Sequence, residues 1–234
     1  MHTFLSVHFL LMFRKYLLVF AGFTIYNTIM KTTITKRQWK AIYRLLNRVS
    51  PINADCGILC GSACCTVSGD YSDEMMGIYL YPGEEKIHDS DCGWLTWTVE
   101  KAEDYDFPDS WSGNIYFVRC KTPPFCPRNM RPFQCRTFPL APHITEEGVL
   151  TLIYNDETLP YRCPLIDEKT PLNDDFIKAT YTVWSHLIRD PLILDLVEAE
   201  SCERQRRSKK HEKTKLTLKP QQAKTRPSCL SDKA

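Results

Sequence analysis

Hydrophobic residues recur at helical spacing in two regions of the chain, and short apolar runs lie between them. Trp39, Ile42, Leu45, Leu46 and Val49 form one stripe, while Lys36, Arg37, Lys40, Arg44 and Arg48 fill the opposite face. That pattern predicts an amphipathic helix from a Thr35 cap to about Val49, stopped by Ser50-Pro51. A second stripe, Phe176, Ile177, Thr180, Val183, Trp184, Leu187 and Ile188, predicts a helix capped by Asn173, with Asp174 and Asp175 in its first turn. Asp190-Pro191 opens a third helix as cap and first-turn proline, apolar through Leu192, Ile193, Leu196 and Val197. Residues 77–81, 94–101, 114–119 and 149–154 read as strands, parted by turns such as Pro82-Gly83-Glu84-Glu85 and Glu147-Gly148. The expected class is α+β: a small loop-rich core with short antiparallel strands, flanked by an N-terminal helix and two C-terminal helices.

The pattern changes at both termini. Residues 1–29 are strongly apolar, but Arg14 and Lys15 split them into pieces shorter than the ~20 residues of a bilayer span. Charges in mid-segment and the lack of a small-residue cleavage site argue against a signal peptide. A membrane anchor stays open. The expectation is instead that translation begins at Met30, the upstream bias being what AT-rich non-coding DNA would encode. Beyond about Glu203 the chain loses aromatic and β-branched apolar residues, so a globular domain over 30–200 and a disordered tail over 201–234 are expected. The net charge of +2 hides an asymmetry, because residues 201–234 carry a net +8 and the rest about −6. A basic tail without aromatics implies a weak, salt-sensitive contact with nucleic acid or an anionic surface, with no specific nucleic-acid motif.

Composition adds one strong signal. The chain has 11 cysteines among 234 residues, and four of them fall in Cys56-Gly-Ile-Leu-Cys60-Gly-Ser-Ala-Cys64-Cys65. Thiolates gathered by short loops bind zinc, iron or an iron–sulfur cluster. Gly57 and Gly61 let the backbone turn tightly enough for the sulfurs to converge. A second cysteine stretch runs from Cys120 through Cys126 and Cys135 to Pro142; its six prolines in 23 residues exclude long regular elements. Cys163-Pro164 follows. Eight sulfurs (Cys56, Cys60, Cys64, Cys65, Cys120, Cys126, Cys135 and Cys163) are therefore candidate metal ligands. They could complete two four-thiolate zinc sites, one [4Fe–4S] cluster with sulfurs to spare, or two clusters. Adjacent Cys64 and Cys65 are expected to project apart, which favours bridging or two sites over one mononuclear centre. The Cys56–Cys65 loop is then one half of a composite site, with the Cys120–Cys135 segment as its other wall.

These two stretches together resemble a family described as zinc- or iron-chelating, named for its clustered C-x3-C-x2/3-C-C motif. The matching residues are Cys56, Cys60, Cys64, Cys65, the segment from Cys126 to Arg136 with Arg131-Pro132, Phe138-Pro139, and Cys163-Pro164. Tyr79-Leu-Tyr-Pro-Gly-Glu-Glu85 is similar to the connecting segment of that family. The resemblance covers about residues 30–200 and implies metal chelation. A related cysteine-rich domain occurs in flagellin lysine N-methylases, which implies a cluster-dependent methyltransferase as the alternative. No glycine-rich S-adenosylmethionine motif supports that alternative, and C-x3-C-x3-C departs from the radical-SAM spacing.

Other readings stay open at this level. In an oxidising compartment the cysteines would form disulfides, giving a membrane-anchored surface protein; in the cytoplasm they are metal ligands or redox thiols. Arg131 and Arg136, and less so Arg128, could neutralise a thiolate centre or bind a substrate anion. His88 and His143 are isolated nitrogen donors. Glu84 and Glu85 read as the acidic start of a helical turn. Cys92, Cys202 and Cys229 fall outside the pattern.

Overall fold

The protein is described by a computed structural model over residues 31–66, 77–121 and 123–217. The apolar extension 1–29, the Met30 start, most of the polar turn region after Thr66, Cys229 and the tail from 218 lie outside the described residues. Helix α1 (Lys36–Leu46) is followed by a 3-10 turn (Cys56–Leu59), the one-turn helix α2 (Ala63–Thr66) and strand β1 (Ile78–Tyr79). After a 3-10 turn over Glu84–Ile87 come β2 (Leu95–Lys101) and β3 (Asn114–Cys120). Next are α3 (Phe133–Thr137), β4 (Leu140–Ile144), β5 (Leu150–Tyr154), α4 (Pro164–Asp167), α5 (Asp174–Leu187) and α6 (Pro191–Thr217). The fold is α+β with antiparallel strands: β1-β3-β2 form one sheet, and β4-β5 a hairpin.

Local chemistry explains the boundaries. Thr35 accepts from the Gln38 amide, and the Gln38 carbonyl accepts from the Thr35 amide, a reciprocal capping box at the start of α1. Asn173 occupies the cap position of α5, but its side chain makes no cap bond there. Its Nδ2 donates to Ser50 O instead, and its amide to Pro51 O, tying the exit of α1 to the entry of α5. Asp190 caps α6 through the Leu192 and Ile193 amides. Its other oxygen accepts from the Thr33 amide and from the Thr32 and Thr33 hydroxyls, pinning the start of the described chain.

The core lies where α1, α5 and α6 meet. Trp39, Ile42, Tyr43 and Leu46 pack with Val183, Trp184, Leu187, Ile193 and Val197, together with Tyr81 and Phe133 from the intervening segments. Phe133 is completely buried among Trp39, Tyr81 and Trp184, with ring centroids 5.6, 5.5 and 5.1 Å away in edge-on geometry. A smaller apolar group, Leu80, Leu95 and Val118, carries Cys92 at its margin, so Cys92 serves as packing.

One short strand goes unannounced by the sequence, and one boundary is corrected. Strand β4 begins inside the proline-rich stretch; Pro142 is tolerated because the hairpin has only two strands and each has a free edge. The chain also does not lose order at 201, because α6 continues to Thr217. Ser201 is buried and donates to Val197 O, while its hydroxyl accepts from the Ile144 amide. Buried Arg204 reaches Asp156 at 2.8 Å, Glu200 at 3.2 Å and Pro142 O at 3.1 Å. Arg207 pairs with Asp156 and Glu157, and Lys209 with Glu146. The first basic residues of the supposed tail therefore match acids of the β4-β5 hairpin. An apolar count alone misses such a helix, because charge pairing holds it on the hairpin.

A candidate thiol metal centre

The first cysteine stretch folds as two tight turns back to back. Asp55 accepts from the Gly57 amide and starts the 3-10 turn. Gly61 and Ser62 take left-handed φ values of 61° and 60°, reversing the chain into α2, which carries Cys64 and Cys65. The second stretch is held by Phe133 in the core and by arginines at the surface. Arg128 makes an ion pair with Asp55, joining the two stretches directly. Arg131 Nε donates to Cys126 Sγ at 2.9 Å. The Arg136 guanidinium donates to Arg131 O at 2.5 Å, Arg128 O at 3.1 Å and Asn47 Oδ1 at 2.6 Å, and lies 4.1 Å from the Tyr43 ring centroid. Arg136 is thus a brace for the loop, and Arg131 supplies positive charge to the thiols.

Seven of the eight candidate sulfurs influence one another. Cys64 Sγ lies 3.7 Å from Cys65 Sγ. That hydrogen bond, desolvation at the sulfur of this otherwise exposed residue, and the charges of Cys65, Cys135 and Cys56 push the Cys64 thiol far up. The same hydrogen bond brings Cys65 down to about 7. Cys135 is exposed as a residue, yet desolvation at its sulfur, with Cys65 and Cys126 as like charges, pushes it up to about 12. Burial also raises Cys56 and Cys163, each with Cys60 as a further like charge. Tyr161 is raised by burial and by Cys64, Cys163, Cys135 and Cys65, so it sits at the edge of the same group. Cys120 closes β3 opposite Leu95. His143 lies on β4 opposite Thr151. None of the ten cysteines among the described residues is in a disulfide, and Cys202 is exposed on α6.

The donor set suits a soft cation, because thiols that oppose each other's ionisation lose that opposition once a metal replaces their protons. The shell is not closed. Among the described residues, no three His, Cys, Asp or Glu side chains stand close enough to hold a metal ion as they lie. One distance nevertheless corrects an expectation: the adjacent cysteines do not project apart. Two thiolates on one tetrahedral zinc, with Zn–S of about 2.3 Å, are separated by about 3.8 Å. The Cys64–Cys65 pair already stands at 3.7 Å.

The shared proton of this pair makes a direct prediction. In chelator-treated protein, one thiol of the pair alkylates with a midpoint near pH 7, because Cys64 donates to and stabilises the Cys65 thiolate. Cys135 stays slow until the pH approaches 12. Mass-mapped iodoacetamide labelling across pH reads both, and equal midpoints for Cys65 and Cys135 would refute the arrangement.

The sequence marks Glu84 only as an acid at the start of a helical turn and gives no sign of a role for Tyr43. Glu84 is fully buried, and its charge is felt at Cys135. Its Oε1 accepts from Tyr43 Oη at 2.5 Å and from the Phe133 amide at 2.7 Å; Oε2 accepts from the Tyr81 amide at 3.0 Å. His88 Nε2 lies 2.8 Å from Tyr43 Oη and 3.7 Å from Glu84 Oε1. The available signal was Pro82-Gly83, a turn that only glycine fits: Gly83 has φ 87°, and a Cβ there would meet Ile34 O at 2.9 Å. Comparisons with protein-family models, curated proteins and solved structures find no match for this chain. No helix among the described residues is long and apolar enough to cross a membrane.

Proposed function

We propose that this chain is a metal-binding protein that holds zinc, iron or an iron–sulfur cluster through clustered cysteine thiolates. The observation that carries the reading is convergence: the Arg128–Asp55 ion pair joins the 56–65 and 126–135 stretches, Cys64 and Cys65 stand 3.7 Å apart, and the charges of thiols at 56–65, 126–135 and 163 bear on one another. Chance placement of surface cysteines would not gather three separate segments. Arg131, hydrogen-bonded to Cys126, offsets part of the negative charge that ionised sulfurs would bring. The resemblance of the two cysteine stretches to the chelating family supports the same reading. Because thiols persist as ligands in reducing surroundings, the reading implies a cytoplasmic protein.

Anaerobic purification followed by elemental analysis and a visible spectrum tests it. Stoichiometric zinc or iron is expected, and sulfur-to-iron absorption would identify a cluster. A folded protein free of metal, and unable to take up either, overturns the proposal.

A further inference from the structure

We propose that Cys64 and Cys65 are a redox-active dithiol that closes reversibly to a vicinal disulfide by exchange with a low-molecular-weight disulfide of the glutathione class. This goes beyond the metal-binding reading and does not depend on it, because two sulfurs suffice and no third donor is required. Neighbouring side chains on a helix do not normally face each other. On the single turn of α2 these two sulfurs stand 3.7 Å apart and share a hydrogen bond. A dissolved reagent has access to the pair: Cys64 is an exposed residue, Cys65 is half-buried, and neither is in a disulfide.

Closure asks for a movement that the surrounding chain permits. The sulfurs must approach from 3.7 Å to the about 2.05 Å of a disulfide bond. No residue of α2 is buried in the core, so its side chains and backbone can turn without opening a cavity. Ser62, just before it, holds a left-handed φ of 60°, which a residue with a Cβ resists, so the turn is already strained. Consecutive Cα atoms stand about 3.8 Å apart across a trans peptide, below the about 4.4 Å at which disulfides are ordinarily formed. The closed form is therefore strained and readily reduced, which suits a bond that opens and closes rather than one that holds a fold. The exchange takes two steps. The thiolate of one cysteine attacks a sulfur of the dissolved disulfide, forming a mixed disulfide and expelling one small thiolate. The second cysteine gives up its proton and attacks the cysteine sulfur of that mixed disulfide, forming the Cys64–Cys65 bond and expelling the other small thiolate. The protein loses two electrons; the dissolved disulfide gains them and, with the two protons released, becomes two thiols. Whichever cysteine leads, the product is the same.

The full chain, reduced and chelated, is equilibrated with glutathione buffers of stepped thiol-to-disulfide ratio and quenched in acid. Its remaining thiols are capped with N-ethylmaleimide, and tandem mass spectrometry locates the caps. A loss of two hydrogens is expected on the Cys64–Cys65 pair, with no cap and no glutathione retained there. Half-conversion should fall inside the range of the buffers, and dithiothreitol should reverse it fully. Cys64→Ser stops the exchange at its first step and leaves one glutathione on Cys65, whereas Cys202→Ser on the distant α6 leaves closure unchanged. The unmutated chain carries the main readout, so no variant has to fold for the test to decide. A disulfide from either cysteine to any other, a glutathione retained on the unmutated pair, or a pair still capped after incubation with glutathione disulfide alone overturns the proposal. Each of these results leaves the metal-binding reading standing, since that reading fails on metal uptake by the reduced chain instead.

Discussion

Glu84→Ala is expected to destabilise the protein by about 4 kcal/mol, enough to unfold much of a domain of ordinary stability. The carboxylate accepts from two backbone amides and a tyrosine hydroxyl, and alanine would leave all three donors without this acceptor in the interior. Each buried donor left unsatisfied costs about 1–3 kcal/mol. No water can rescue them cheaply, because Glu84 has no exposed surface at all. Glu84→Gln separates shape from charge. It keeps an oxygen for Tyr43 and Phe133 but turns an NH2 toward the Tyr81 amide, at a cost of about 1–2 kcal/mol. Urea unfolding of both variants measures the difference, and a loss below about 1 kcal/mol for Glu84→Ala would show that the clasp is not structural. The clasp also bears on the thiols. Phe133 N belongs to the first residue of α3, so the same carboxylate sets the helix that presents Cys135 and Arg136.

The parts of this fold legible in the sequence are those governed by local rules. Helix α1 announces itself through Thr35 and a five-residue apolar stripe, and α6 begins where Asp190-Pro191 places it. Strands β2 and β3 follow from their β-rich runs and pair over their full length. What local rules cannot convey is how distant side chains complete one another. Nothing around Glu84 shows that its partners lie 41 residues before it, at Tyr43, and 49 after it, at Phe133. Arg204 reads as one more basic tail residue until Asp156 and Pro142 surround it. The cysteine spacing singles out the candidate thiols, yet the side-chain directions of Cys64 and Cys65 depend on the Gly61-Ser62 reversal, not on adjacency alone. Arg136 shows the same limit. Its position among cysteines suggested an anion site, whereas three carbonyl acceptors and the Tyr43 ring engage it as a brace.

Phe133→Ala should be comparably severe, at about 3–5 kcal/mol, the usual cost of removing a fully buried aromatic ring. Its three edge-on aromatic neighbours come from α1, the turn after β1, and α5, so the cavity is lined by separate elements that cannot all collapse into it. Phe133→Leu keeps most of the volume but loses the ring geometry, and should cost about 1–2 kcal/mol. The informative experiment combines Phe133→Ala with Glu84→Ala. Both residues hold the start of α3, one by its ring and one through the Phe133 amide itself, so their effects cannot be independent. Once either support is gone, α3 is partly released and the other has less to lose. The double variant should therefore fall short of the sum by about 0.5–3 kcal/mol, the range for contacting residues. Exact additivity in urea titrations would mean that α3 is held elsewhere. The released helix has a chemical signature as well: Cys135 is an exposed residue whose thiol is raised by desolvation at the sulfur and by the charges of Cys65 and Cys126, so iodoacetamide should label it at lower pH once α3 shifts away from those neighbours in either single variant. A variant that loses stability yet leaves Cys135 labelling unchanged would separate the core role of Phe133 from its role in presenting the thiol.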